Sequence, residues 1–199
     1  MTLAALDPSS TESPVALAKA AKLGKDAQDM AGRARNLHQL LGELCTARLQ
    51  VDAARLLMRA LPRRYAVAWV YECYIQDAEK APFAGSDLEC LHLVERWIAD
   101  GSEASRQAAG DRAAAGGRNT GPEWLASAVG WSGGSLAPRG YTVVPPADHV
   151  TADACFGALC LLAAREPKAF GVRLDGWLQR AIKVFVPAQG AGDPTKGAT

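Results

Sequence analysis

The stretch from Leu56 to Cys73 constrains the fold most. Its first part, Leu56-Leu57-Met58-Arg59-Ala60-Leu61, has helical spacing and runs into Pro62. Proline lacks an N–H and its ring clashes with the preceding turn, so one helix must stop before it; its fixed φ then suits the start of the next. That next run, Tyr65-Ala66-Val67-Ala68-Trp69-Val70-Tyr71-Glu72-Cys73, is apolar on almost every side. A helix without a polar stripe belongs inside a bundle, so this segment is expected to be its central post.

Other segments repeat the three- and four-residue spacing. Leu37, Leu40, Leu41, Leu44 and Cys45 mark one helical face, and Val51, Ala54, Leu57, Met58 and Leu61 mark another. Asp52 as a cap favours a helical hairpin over one long helix. Ser13 with Pro14, Ser102, Thr120 with Pro122, and Thr151 read as helix starts, and Gly24, Gly101 and Gly116-Gly117 read as stops. Ser86 and Glu89 have capping-box spacing. Between Leu136 and Val150, Pro138, Pro145 and Pro146 surround Tyr141, Val143 and Val144, which predicts an extended, irregular loop. Glu166-Pro167 repeats the break at Pro62, and the run to Phe185 ends at Pro187.

The expected fold is all-α: a single compact bundle of about seven helices, with a Pro-rich irregular loop before the last two. Residues 1–25 read as a tail with a short peripheral helix, 26–187 as the helical domain, and 188–199 as a Gly-rich disordered tail. A chain of 199 residues can bury a core of its own. Twenty-two Lys and Arg against 21 Asp and Glu leave a net charge of +1, too little to draw nucleic acid or an anionic membrane. No secretory signal or membrane span is visible. Cys45, Cys73, Cys90, Cys155 and Cys160 stand singly, without C-x-x-C pairing, so buried reduced thiols in a cytoplasmic protein are expected. No metal site and no cofactor is predicted.

Nothing in the chain spells out a catalytic motif. Gly130–Gly134 lacks the Lys-Ser/Thr of a phosphate loop and reads as a helix stop. Cys45 lies seven residues from His38, two helical turns away. Asp148, His149 and Asp153 sit at a loop-to-helix boundary, where capping accounts for acidic residues. More informative are Arg55, Arg59, Arg63 and Arg64. The last two stand at a helix start, where a cation meets the unfavourable end of the dipole and needs a carboxylate, from its own fold or from a partner. Trp131 and its neighbours could give a partner-facing patch, since Trp and Arg are favoured at interface centres.

These residues combine into a recognisable pattern. Asp52-Ala53 precedes Leu-x-x-x-Leu-Pro-Arg-Arg at Leu57–Arg64; Ala66-Val67-Ala68-Trp69 and Cys73 follow; then Trp97 to Asp100 and Trp131-Ser-Gly-Gly-Ser-Leu-Ala-Pro138. The pattern resembles, from Leu37 to Phe185, an uncharacterised all-helical bacterial family whose genes often lie near type VI secretion loci. Members often carry an acidic residue and a second Trp where Tyr65 and Ala68 stand. The resemblance implies an accessory role, as adaptor or chaperone, for a type VI effector or spike component. It carries over no catalytic residue. The expected function is therefore non-enzymatic protein binding through Arg59, Arg63, Arg64, Trp131, Leu136 and Tyr141. The alternative is a small-molecule binder or enzyme with an interhelical pocket using His149, Asp148 or Arg64.

Overall fold

The computed structural model describes residues 13–137 and 140–186. The expected tail at 188–199, the helix stop at Pro187 and most of the N-terminal tail lie outside them. Among the described residues the fold is all-helical, with ten α-helices and no strand. In order they are α1 (Pro14–Ala20), α2 (Lys25–Ala31), α3 (Leu37–Thr46), α4 (Gln50–Ala60), α5 (Arg63–Ala78), α6 (Gly85–Asp100), α7 (Glu103–Gly116), α8 (Gly121–Gly130), α9 (Val150–Ala164) and α10 (Phe170–Phe185). A 3-10 turn at Pro167–Ala169 leads into α10.

Ten helices replace the seven expected because short breaks divide what periodicity joins. Gly32 ends α2, and Asn36 opens α3 by accepting the Gln39 N–H at 2.9 Å. The break at Pro62 is as expected: α4 stops at Ala60, Leu61 is extended, and Pro62 is the N-cap of α5. Ser13, Ser102 and Thr120 cap α1, α7 and α8, the last in a reciprocal capping box with Glu123.

Four capping expectations are corrected. Asp52 sits inside the first turn of α4, and its carboxylate accepts the Gly24 N–H at 3.0 Å, tying α2 to α4. Gly24 opens α2 instead of closing α1. Helix α6 begins at Gly85, so Ser86 falls inside it, and Glu89 pairs with Arg112 at 2.6 Å. Thr151 is buried, and its hydroxyl donates to the Trp131 carbonyl at 2.9 Å. Asp52, Glu89 and Thr151 are each taken by a partner distant in sequence.

The centre of the bundle is shared. Helix α5 buries Ala66 to Val70, Cys73 and Tyr74, and packs on α6, α8 and α9. Helix α9 is more enclosed still, touching α4, α5, α8 and α10. Helices α7 and α8 cross where Gly110 faces Gly130; a Cβ on Gly130 would stand 2.7 Å from the Gly110 Cα. Only glycine allows that approach, and it explains the Ala- and Gly-rich face of α7. The first helix is seated, not peripheral: Leu17, Ala18, Ala21 and Leu23 join the core, which therefore begins before residue 26.

All five cysteines are free; Cys45, Cys73, Cys90 and Cys155 are buried and Cys160 half-buried. Burial pushes the thiols of Cys45, Cys90 and Cys160 from the ordinary 9.0 up to about 11, and raises those of Cys73 and Cys155. Above pH 9 the unfolded chain loses these protons while the folded chain keeps them. For Cys45, Cys90 and Cys160 that contribution to stability is whole below pH 9 and is lost as pH rises toward 11. Urea midpoints should therefore fall steeply between pH 9 and about 11. Replacing Cys155 by alanine should flatten that fall. A flat midpoint across the range would contradict thiol burial.

Candidate partner-binding site

The connection from α8 to α9 is a long loop with a fixed base and a bare outer edge. At its start, Trp131 packs edge-on against Trp124, with ring centroids 6.2 Å apart, and the Arg118 guanidinium lies 5.3 Å from the Trp131 ring. The Trp131 ring is half-buried and holds the loop down. Gly134 turns the chain at φ 64°, where a Cβ would strike the Arg106 guanidinium at 2.4 Å. The chain then doubles back on itself. Leu136 N–H donates to the Val144 carbonyl at 2.8 Å, and Ser135 Oγ accepts the N–H groups of Ala137 and Val144 at 3.0 and 3.1 Å.

Two arginines clamp the base from below. Arg63, at the start of α5, donates to the Ser132 carbonyl and to Asp148 Oδ1, both at 2.9 Å, and so joins the two ends of the loop. Arg59, from α4, donates to the Asp148 main-chain carbonyl at 3.3 Å. Pro146 is buried. Above this base the apolar side chains face solvent: Leu136 is 49% exposed, Tyr141 74%, Val143 69% and Val144 48%. The main-chain groups of Tyr141, Thr142 and Val143 make no hydrogen bond among the described residues.

The expected site residues thus divide into three groups. Leu136 and Tyr141 are on the exposed edge. Arg59, Arg63 and Trp131 support that edge from within. Arg64 belongs elsewhere: it donates to the carbonyls of Ile98 and Ala99, each at 3.2 Å, and closes the C-terminal end of α6 beside Gly101. The arginines at the start of α5 find their compensating charge inside the fold, in Asp148 and in the carbonyl end of α6. Val143 and Val144 mark the extended loop in the sequence but are not among the expected binding residues; both are exposed beside Tyr141.

His149 is exposed at the N-cap of α9, and Asp148 is engaged with Arg63. Cys45 is buried, and its thiol is held up near 11 first by burial and then by Asp175, the reverse of what a nucleophile needs. His38 donates from Nδ1 to the Val186 carbonyl at 2.6 Å. Gly130 to Gly134 form no cradle, since Gly130 is pressed on Gly110 and Gly134 on Arg106. A cavity of about 220 Å³ lies between Arg59, Arg63 and Asp148, below the usual size for a drug-sized ligand. An open groove of about 560 Å³ runs beside Met30, Arg33, His38 and Glu43.

A profile described as "Family of unknown function (DUF6931)" matches residues 40–185, from within α3 to the end of α10. The chain belongs to that family. The match takes in the whole loop and both arginines beneath it, and leaves α1 and α2 outside. Searches of curated proteins and of solved structures gave no match.

Proposed function

We propose that this DUF6931 protein is a non-enzymatic binding module that recognises a protein partner through the Leu136–Val144 edge. One observation carries the reading: four large apolar side chains stand in water together on a loop whose base is locked by Arg63, Ser135 and Thr151. An exposed apolar cluster costs solubility unless something covers it, and a pre-ordered base lowers the entropy lost on binding. Supporting this, Trp131 and Arg63 are occupied in holding the loop.

The finer reading is an adaptor or chaperone of a type VI secretion system, acting in the cytoplasm on an effector or spike component. It rests on the resemblance in the Leu57–Arg64 and Trp131–Pro138 motifs. Among the described residues no helix is long and apolar enough to cross a membrane. Co-purification at native expression tests both levels. A stoichiometric secretion component in the eluate is the expected result. Abundant, folded protein that brings down no partner would reject the binding role, and a partner unrelated to secretion would reject the finer one.

A further inference from the structure

We infer that the cavity between α4, α5 and α9 takes a carboxylate from the polypeptide partner, with Arg59 and Arg63 as its cationic walls and Asp148 as the internal group that it displaces. The inference rests on the binding role proposed above and names the chemistry that the partner must carry.

The charges around the cavity do not balance. Two guanidiniums line it against the one carboxylate of Asp148. Among the described residues Arg59 reaches the Asp148 main-chain carbonyl, at 3.3 Å, and pairs with no acidic side chain. The neighbouring helices add to the excess: α5 starts there at Arg63 and α9 at Val150, both without a side-chain cap. Asp153, exposed in the first turn of α9, offsets part of that field, and His149 is exposed beside it.

Asp148 shows that the walls accept a carboxylate, since its Oδ1 lies 2.9 Å from Arg63 Nη2. The hold on it is weak. Its side chain is 87% exposed and that of Arg63 39%, so water screens the pair and exchange for another carboxylate costs little. Met58, Leu61 and Ala66 give an apolar floor, and about 220 Å³ accommodates the methylene stem and head group of a glutamate. The cavity also adjoins the loop that Arg63 clamps, so a segment lying on Tyr141 and Val143 could place an acidic residue in it.

The test uses the full chain labelled with [15N]arginine and the blocked tripeptide acetyl-Val-Glu-Val-amide, with its glutamine counterpart as control. The Glu peptide should shift the Nε–Hε signals of Arg59 and Arg63 saturably and leave that of Arg64 in place. Asp148→Asn should bind it at least about threefold tighter, because a competing like charge is gone. Arg63→Gln should lose the response, and added salt should weaken it. No saturable shift in either the wild type or Asp148→Asn would overturn the inference, as would an equal response to the Gln peptide, no tightening in Asp148→Asn, or tighter binding of inorganic phosphate. A Leu136→Ser, Tyr141→Ser, Val143→Ser variant separates the two levels. It should keep the arginine response while losing the protein partner, so a failure of the cavity and a failure of the loop are read independently.

Discussion

Replacing Asp77 with alanine should cost roughly 3–5 kcal/mol of stability, the range for removing one partner of a buried ion pair. Asp77 is only 7% exposed at the end of α5, and it holds two guanidiniums: Arg165 at 2.7 Å and Arg173 at 2.5 Å. Arg173 also donates to the Leu162 carbonyl at 3.0 Å, pairs with Glu166, and lies 5.1 Å from the Trp177 ring. Its Nε is already buried without a hydrogen-bond partner among the described residues. Arg165 lies over Phe83 and reaches the Ala81 carbonyl at 3.1 Å. One carboxylate therefore fastens the end of α5 to the end of α9 and the start of α10. Without it, Arg173 would remain enclosed with only the exposed Glu166 carboxylate to offset its charge among the described residues. Asp77→Asn, which keeps the shape and removes the charge, should cost less than alanine. Urea denaturation gives the answer through the midpoint at constant slope. A loss below about 1 kcal/mol for the alanine variant would place the network among ordinary surface pairs.

The opposite behaviour is expected at the loop. The variant Leu136→Ser, Tyr141→Ser, Val143→Ser should change stability by no more than about 0.5 kcal/mol, as surface substitutions do. Its affinity for the co-purified partner should fall about tenfold or more, the effect of removing an aromatic anchor with its neighbours. The asymmetry follows from where the loop's own bonds lie. Leu136 N–H and the Ser135 hydroxyl bind main-chain groups, which serine at the three positions leaves intact. Arg63, Thr151 and Pro146 fix the base and are untouched. Titration of the partner against both proteins, with matched urea curves, measures the two quantities separately. An unfolded variant would contradict the claim that the exposed edge is stabilised from below. A folded variant with undiminished affinity would move the binding surface elsewhere.

Several features were legible in the residues because their causes are local. Proline geometry placed the break at Pro62, and the spacing of Thr120 and Glu123 matches the capping box observed. The irregular loop follows from prolines on both sides of Tyr141. What depended on distant partners was not legible. Asp52, Ser86 and Thr151 look like caps, yet Asp52 and Thr151 bond to segments that sequence alone cannot place beside them, and Ser86 lies inside α6. Arg63 and Arg64 are adjacent and alike, but a helix turns successive side chains by about 100°, so one faces the loop and the other the end of α6. Asp77 meets arginines 88 and 96 residues away, a pairing no spacing rule predicts. Gly130 hints at a turn in the chain and turns out to mark a helix crossing.

The most direct measurement of the proposed binding edge is amide hydrogen exchange on the protein alone and in its purified complex. The Tyr141, Thr142 and Val143 amides find no hydrogen-bond acceptor among the described residues and should exchange fast in the free protein. In the complex they should slow markedly, while the groove beside His38 keeps its free rate. Protection that appears at that groove, with the 141–143 amides still exchanging fast, would contradict the account.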